Sequence, residues 1–242
     1  MAMRASDDTG VERILMVTAH PDDVDFGAAG SVATWTDTGI HVAYCLVTDG
    51  DAGGSDNTIT RARVAEIRRE EQTVAAAAVG VHELHFLGHP DGRVTASLDL
   101  RRDISRVIRR VRPDRVCVQS PERRWDRIYA SHPDHLAAGE AALAAVYPDA
   151  RNEFAHPELL ADGLEPWTAR ETYVIGHPQA DVFVDITDRI DRKIAALLAH
   201  ESQHADPVRT EELVRVWAEV TAQAAGLPEG RRAEAFLRVD TA

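Results

Sequence analysis

One stretch near the start of the chain decides its fold: Ile14-Leu15-Met16-Val17-Thr18-Ala19-His20-Pro21-Asp22-Asp23. Residues 14–18 form a mostly apolar run bounded by polar residues, which is typical of a strand that is buried on both faces of a parallel sheet. In such sheets, ligands bind at the carboxyl ends of the strands. The stretch therefore predicts a buried strand and, directly after it, polar side chains placed where a functional site would form.

Strand and helix patterns alternate along the rest of the chain. Helices are predicted at about 27–37, 60–79, 100–111 and 133–145, and strands at 42–48, 84–87 and 115–118. Two later strands, 172–175 and 182–186, precede helices at about 190–198 and 209–225. Regular alternation of this kind predicts an α/β fold in which helices cover both faces of a mostly parallel sheet.

Length and charge limit the domain organisation and the class of partner. The chain has 242 residues, enough for one α/β domain that buries its own core. We expect a flexible N-terminus over residues 1–10 and a single domain over 11–242 that ends in a helical segment at about 205–242. The formal net charge of -13 argues against a nucleic-acid partner, because phosphate binding needs a basic face.

Cysteine, lysine and apolar content narrow the chemistry and the compartment. Cys45 and Cys117 fall in predicted strands, where buried free thiols are common, so a disulfide or a cysteine-zinc site is disfavoured. The only lysine, Lys193, falls in a predicted surface helix, which disfavours lysine chemistry. No apolar stretch approaches the roughly 20 residues that span a bilayer, and residues 1–10 lack the apolar core of a signal peptide. We expect a cytoplasmic protein without membrane insertion.

The residues that follow the first strand offer metal ligands and a base. His20 closes the strand and Asp23 follows a turn that Pro21 helps to fix, so an imidazole and a carboxylate can converge on one metal. Asp22 lies beside them and need not bind the metal. A carboxylate next to a metal-activated water can accept its proton when the water attacks a carbonyl. We therefore predict His20 and Asp23 as ligands and Asp22 as the general base.

A second motif, His132-Pro133-Asp134-His135, offers the missing ligand. Pro133 fits the first position of a helix, which makes His132 the cap and places His135 in the first turn. The positive end of the helix dipole favours the neutral imidazole that a metal requires. With His135 as the third ligand, the fourth position of a zinc ion stays open for water.

The other two residues of this motif have predicted roles in proton transfer. His132 can donate a hydrogen bond to the developing oxyanion and then a proton to the leaving amine. Asp134 could hold the His132 imidazole charged and oriented. The alternative is that these His-Pro dipeptides have no catalytic role, because the chain contains five of them. However, only His20 and His132 are followed three residues later by another good ligand, and no role is assigned to His89 or His177.

Two further candidates are open to a structural interpretation as well as a functional one. Arg63 and Glu66 follow the Gly-rich loop 49–55 at helical spacing, so Arg63 is either a substrate contact or half of a solvated ion pair. Asp91 lies in Gly88-His89-Pro90-Asp91-Gly92, where it could bind a substrate hydroxyl or form a plain Asp-Gly turn. The remaining histidines, His200 among them, are expected to be structural or exposed.

These blocks together resemble the PIG-L, or LmbE-like, family of zinc-dependent N-deacetylases. The resemblance rests on both motifs and on three blocks between them, Thr48-Asp49-Gly50-Asp51-Ala52-Gly53, Arg63-Val64-Ala65-Glu66 and Phe86-Leu87-Gly88-His89-Pro90-Asp91-Gly92. It implies a Rossmann-like three-layer sandwich, Zn²⁺ or alternatively Fe²⁺ as the metal, and the same ligands, base and acid as above.

The substrates of that family are mostly N-acetylglucosaminyl compounds, which implies that Arg63 and Asp91 contact a sugar. Members that act on mycothiol precursors carry a tyrosine two residues before the first histidine of the second motif. This chain has Ala130 there, with Tyr129 displaced by one position. The resemblance therefore favours an amino-sugar substrate other than a mycothiol precursor.

We expect a zinc-dependent hydrolase that removes an N-acyl group, with acetyl as the expected group, from an amino sugar or a related secondary metabolite. One alternative is an amidase that cleaves a larger amide, such as a thiol-cofactor S-conjugate. A non-enzymatic alternative is a nucleotide-binding module, which would need a Gly-rich turn where this chain has His-Pro-Asp-Asp. The expected partner is a small acylated molecule, and the sequence leaves homo-oligomerisation open.

Overall fold

The protein is described by a computed structural model that covers residues 3–54, 58–128 and 131–242. These residues form an eight-stranded sheet. Its strands are β1 (Arg4–Ala5), β2 (Arg13–Thr18), β3 (His41–Thr48), β4 (Glu83–His89), β5 (Arg115–Gln119), β6 (Glu171–Ile175), β7 (Val182–Asp185) and β8 (Ala233–Asp240). Their spatial order is β1-β7-β8-β6-β5-β2-β3-β4. Only β8 among these runs antiparallel to its neighbours, so the predicted α/β fold with a mostly parallel sheet is confirmed.

Helices cover both faces of the sheet. They are α1 (Asp23–Gly27), α2 (Ala29–Asp37), α3 (Arg61–Ala78), α4 (Leu98–Val111), α5 (Pro133–Val146), α6 (Pro157–Ala161), α7 (Ile190–Leu198) and α8 (Pro207–Ala224). One buried apolar cluster joins the sheet to α1, α2, α3, α7 and α8, and a second joins the opposite face to α4 and α5. The result is the three-layer arrangement implied by the family resemblance. None of these helices is long and apolar enough to cross a membrane.

The two histidine motifs, residues 20–23 and 132–135, lie near the carboxyl ends of the central strands β2 and β5. From β2 the chain winds through β3 and β4 in one direction and through β5 and β6 in the other, so β2 and β5 flank the point where the strand order reverses. Ala19 donates its backbone N–H to Gln119 Oε1 at 2.8 Å, which joins the ends of these strands. Gly139 lets α5 approach, because a Cβ there would collide with the carbonyl oxygen of Gln119.

The expectation of a helical segment at the end of the chain was wrong in part. The segment at 205–242 is helical only as far as Ala224, and β8 follows as a strand inserted between β6 and β7, the two late strands that the sequence predicted. Buried Glu234 interrupts the apolar pattern of β8, which is why hydropathy did not reveal it. In the N-terminal segment that was expected to be flexible, Arg4 and Ala5 pair with β7.

Lys193 also differs from its predicted surface position. It is 3% exposed, and its Nζ donates to Glu234 Oε1 and to the carbonyl oxygen of Phe26, each at 2.6 Å. The helix α7 was predicted correctly, but the long side chain of its lysine reaches a buried carboxylate rather than solvent. The two cysteines, as predicted, are buried and free.

Candidate metal centre and active site

Three of the predicted ligands converge at the carboxyl end of β2. His20 Nδ1 lies 3.4 Å from Asp23 Oδ2 and 3.2 Å from His135 Nε2. His135 Nε2 in turn lies 3.0 Å from Asp23 Oδ1. His20 follows β2, Asp23 begins α1, and His135 stands in the first turn of α5. The three side chains thus form a closed triangle of nitrogen and oxygen donors.

The dimensions and charge of this triangle fit a divalent metal. In a tetrahedral zinc site with bonds of about 2.0–2.2 Å, ligand atoms are separated by roughly 3.3–3.6 Å. Burial alone would lower the pKa of His20, but hydrogen bonds with Asp23 and Asp91 outweigh it and raise that pKa to about 11. The surroundings therefore favour a positive charge at this point, whether it is a proton or a metal ion.

Asp22 lies beside the ligands in a strained conformation. It caps α1 with a φ of 84°, in the left-handed region that residues other than glycine rarely adopt. Its backbone N–H donates to Gln72 Oε1 at 2.8 Å. Burial, together with repulsion from Asp23, raises the pKa of Asp22 to about 7 against the attraction of Arg68. A carboxylate with this pKa can both accept and return a proton near neutral pH.

Arg68 is a residue of the site that the sequence analysis missed. Its Nη2 lies 3.0 Å from Asp22 Oδ2 and 2.6 Å from the carbonyl oxygen of Pro21, and its Nη1 donates to the carbonyl oxygen of Gly50. The guanidinium thus ties the turn before α1 to the loop after β3. Arg68 begins a second Arg-x-x-Glu pair, five residues after Arg63, and this repeat was the available signal.

Arg63 itself has the contacts of the ion-pair alternative. Its Nη1 lies 2.9 Å from Glu66 Oε2, and the two side chains are 53% and 63% exposed. The structure does not bring Arg63 to the cluster around His20, so a contact between Arg63 and substrate stays a prediction. The Gly-rich loop is described only to Gly54, and Ser55, Tyr129 and Ala130 lie outside the described residues.

Two carboxylates hold the far side of the His20 ring. Asp91 Oδ1 lies 3.1 Å from His20 Nε2, and Asp134 Oδ2 lies 3.3 Å from the same nitrogen. Burial would raise the pKa of Asp91, but its hydrogen bond with His20 dominates and lowers it to about 2. A carboxylate on the second nitrogen of a ligating histidine fixes the tautomer and orientation of the ring. The predicted contact of Asp91 with a sugar remains untested.

The carboxylate of Asp134 contacts other groups than the His132 ring for which a role was predicted. Its carboxylate accepts the backbone N–H groups of Gly92 and Val94, at 2.7 and 3.2 Å, and faces His20 rather than His132. Residues two positions apart on a helix do not face each other, so a side chain at 134 points away from one at 132. Asp134 instead fixes the loop after β4 against the ring of His20.

His132 stands at the rim of the cluster. It is exposed and caps α5, and its Nδ1 accepts the backbone N–H of Asp134 at 3.2 Å. Its ring centroid lies 5.0 Å from that of His20 and 5.3 Å from that of His135. Partial desolvation by the neighbouring groups on its inner side, followed by repulsion from these two histidines, lowers the pKa of His132 although the residue as a whole is exposed. Ligand atoms of the three histidines lie within 4.8 Å of one another, but Nδ1 of His132 is already engaged.

A buried polar network supports α1 from behind. Asp25 and His200 are both fully buried, and His200 Nε2 lies 2.8 Å from Asp25 Oδ2. Gln72 donates to the same oxygen at 2.9 Å, and its Oε1 is the group that accepts the N–H of Asp22. The network therefore connects α3 and the end of α7 to the turn that carries the base. The histidine that received no role is structural, and it holds the site in place.

An open cavity of about 510 Å³ begins at the metal ligands. Asp23 and His135 line one end of it, and Val214, Trp217 and Ala218 of α8 line the other. The cavity lies within the range of volumes that bind small-molecule ligands. It gives a bound molecule direct access to the triangle of donors.

Similar proteins agree with this description. Residues 15–146 match the family described as PIG-L: GlcNAc-PI de-N-acetylase. Diacetylchitobiose deacetylase of Thermococcus kodakarensis is 34% identical over 198 residues, which cover 82% of this chain and 72% of that protein. The structure of N,N'-diacetylchitobiose deacetylase from Pyrococcus horikoshii has a TM-score of 0.88 at 27% identity, covering 96% of this chain and 85% of that one. The structure of GalB, the 4-carboxy-2-hydroxymuconate hydratase from Pseudomonas putida, has a TM-score of 0.79 at 25% identity, covering 96% and 97%. The matched region exceeds half of the chain and contains both histidine motifs, and the chain therefore belongs to the PIG-L family.

Proposed function

We propose that this protein is a metal-dependent N-deacetylase that acts on an amino sugar of the N-acetylglucosamine type. The observation that carries the proposal is the triangle of His20, Asp23 and His135 with the half-buried carboxylate of Asp22 beside it. The names of the similar diacetylchitobiose deacetylases support the amino-sugar substrate. Zinc is the proposed metal, with Fe²⁺ as the alternative, because two imidazoles and one carboxylate suit either ion.

The side chains divide the hydrolysis between them. A divalent metal held by the three ligands would polarise the amide carbonyl and a water molecule. Asp22, with one carboxylate oxygen fixed by Arg68, accepts a proton from the attacking water. His132 at the rim donates a proton to the leaving amine nitrogen. The carbon–nitrogen bond breaks as a carbon–oxygen bond forms, which gives a free amino sugar and acetate.

Asp91, Asp134 and Arg68 act through other residues in this scheme. The two carboxylates hold the His20 ring in the orientation that points Nδ1 at Asp23 and His135. Arg68 keeps the Asp22 carboxylate in place and opposes the rise of its pKa. Their contribution is therefore to orient the ligand and the base before substrate binds.

Two other enzymatic reactions stay open to the same site. Hydration of a carbon–carbon double bond is a candidate because the similar GalB structure is that of a hydratase, and this reaction also needs an activated water. An amidase that cleaves a larger amide differs from a deacetylase only in the substrate. A nucleotide-binding module without catalysis has lost its support, since the end of β2 carries ligands and a base instead of a Gly-rich turn.

The test is to measure primary amine and acetate released by zinc-loaded protein from N-acetylglucosamine and its glycosides. We expect both products in equal amounts, and Asp22→Asn lowers kcat by on the order of 10² to 10⁴ because the amide cannot accept a proton. Asp188→Asn, an exposed change far along the chain, serves as the matched control. Absence of amine from every acetylated sugar, combined with loss of ultraviolet absorbance from an unsaturated acid, would favour the hydratase.

A further inference from the structure

The cavity that begins at the metal centre opens on one side of it only. Among the described residues, its lining includes Asp23 and His135 but neither Asp22 nor His132. In the proposed reaction His132 donates to the leaving amine, so the sugar lies on the side of His132. The third substituent of the carbonyl carbon, which is the alkyl part of the acyl group, would then point away from His132, toward the side on which the cavity lies.

The accessible wall of this cavity is more apolar than polar. Its apolar side chains come from α1, the end of β6 and α8, and they include Phe26, Ile175, Val214, Trp217 and Ala218. Trp217 is 37% exposed, and the guanidinium of Arg127 lies over its ring at 5.1 Å. An alkyl chain is the group that such a wall would stabilise, because each methylene that leaves water for an apolar surface gains free energy.

The polar side chains of the wall already have partners within the protein. Lys193 is paired with Glu234 at 2.6 Å, and Arg124 with Asp126 at 2.6 Å. His177 Nε2 lies 3.2 Å from Glu122 Oε2. A polar ligand group would have to compete with these contacts, whereas an alkyl chain would leave them intact. The charged side chains of the cavity wall are therefore compatible with an alkyl chain as the ligand.

The volume is also far larger than acetyl requires. The methyl of an acetyl group is comparable in size to one water molecule, whose share of liquid volume is roughly 30 Å³. The cavity holds about 510 Å³. Acetyl would leave most of that space to solvent.

We propose that this cavity binds the acyl chain of the substrate, and that the protein hydrolyses N-acyl amino sugars with apolar acyl chains longer than acetyl in preference to the acetylated sugar. The inference rests on the proposed amide hydrolysis. Water adds its oxygen to the acyl carbon, the carbon–nitrogen bond breaks, the amine takes the proton, and a fatty carboxylate leaves. No oxidant or reductant is needed.

The test is a chain-length series. Zinc-loaded protein is assayed with N-acetyl-, N-butanoyl-, N-hexanoyl- and N-octanoylglucosamine, and with N-acetylglucosamine carrying methyl, hexyl or octyl as the aglycone. We expect kcat/KM to rise about fourfold per buried methylene along the acyl series until the cavity is filled. Along the aglycone series we expect no comparable rise.

Two variants connect the expected rise to this cavity. Trp217→Ala removes the largest apolar wall and lowers the octanoyl-to-acetyl ratio of kcat/KM by about tenfold. Thr221→Phe fills the same end of the cavity. Relative to the acetyl substrate, kcat/KM should therefore fall more for the octanoyl substrate than for the butanoyl substrate. Val216→Ala, a change of a 53% exposed residue on the same helix outside the lining, is the matched control and keeps the parental ratio.

Three results would overturn the proposal. The first is a flat or falling acyl series in the parent protein, with N-acetyl as the best substrate. The second is a rise along the aglycone series instead, which would assign the cavity to the sugar side. The third is a parental acyl preference in both cavity variants. Amine release from none of the compounds would instead refute the proposed amide hydrolysis itself, and the acyl-chain assignment with it.

Discussion

Arg68 gives the most direct test of how the protein sets the basicity of Asp22. Replacing Arg68 by Met removes the cation that lies 3.0 Å from Asp22 Oδ2 and keeps a side chain of similar length. The two largest remaining influences on the carboxylate, burial and repulsion from Asp23, favour the protonated form, and the attraction of His200 and His20 opposes them more weakly. We therefore expect the pKa of Asp22 to rise above its value of about 7 in the parent protein.

The contact between Arg68 and Asp22 sets the expected size of the change in proton affinity. A neighbouring arginine typically changes the proton affinity of an aspartate by about 10- to 1000-fold. On the acidic limb of the pH profile, where most Asp22 is protonated, a tenfold higher proton affinity lowers the ionised fraction about tenfold. Because only the ionised form is a base, kcat/KM on that limb should fall at least about tenfold and recover as the pH rises.

The assay is the pH dependence of kcat/KM between about pH 5 and 9.5, with metal content measured in the same samples. Arg69→Met is the matched control, because the neighbouring Arg69 pairs with Asp49 at 2.7 Å and is 47% exposed. The acidic limb should move to higher pH only in Arg68→Met. If Arg68→Met reduces the rate equally at all pH values, with metal and thermal stability retained, then Arg68 does not act through the proton affinity of Asp22.

Four further changes test separate parts of the site and fold. His135→Ala should abolish most zinc binding, since two ligands do not make a stable site, and elemental analysis of the purified variant would refute the ligand set if one zinc per chain remained. Asp91→Ala should weaken zinc binding by about 10- to 100-fold through loss of the hold on the His20 ring, measured by competition with a chelating dye. His132→Ala should lower kcat by about 10² to 10⁴ with metal content retained, and a near-parental rate would assign the acid to another residue. Lys193→Met should lower the unfolding free energy by about 3–5 kcal/mol, because the buried carboxylate of Glu234 loses the cation that pairs with it, and denaturant melts that match the parent would contradict this.

The convergence of the proposed metal ligands was predictable because their positions depend on local structure. His20, Asp22 and Asp23 follow a strand that its apolar run identifies, and Pro133 marks the start of the helix that carries His135. In a parallel sheet the ends of neighbouring strands must meet at one edge. Convergence of the two motifs therefore needed no knowledge of side-chain packing.

Arg68 was not predictable in this way, because its role depends on which side of α3 packs against the sheet. Residues 63 and 68 are five positions apart, which on a helix turns them roughly 140° from each other. Arg63 faces solvent, while Arg68 and Gln72 share the buried side with two alanines. Hydropathy does not mark a buried stripe that contains an arginine and a glutamine. Only the tertiary structure supplies the carboxylate and carbonyl groups that compensate them.

The contacts of Asp134 were not predictable for a different reason. Its place next to His132 in the sequence suggested a pair, but neighbouring positions on a helix point in different directions. The carboxylate instead meets the loop after β4, which is about forty residues away in sequence. Contacts between residues so far apart in sequence depend on how the loops pack over the sheet. No local sequence pattern predicts that packing.

The burial of Lys193 has a practical consequence for work with this protein. Reagents that acylate amines, among them common fluorescent labels, cross-linkers and resins for immobilisation, usually attach at exposed lysines. Here the only lysine side chain is 3% exposed and held by Glu234. Modification at this position requires the packing around α7 to open, so the extent of labelling at residue 193 measures unfolding. The same property lowers the background of an assay that detects newly released amines, because the folded protein presents no accessible ε-amino group of its own.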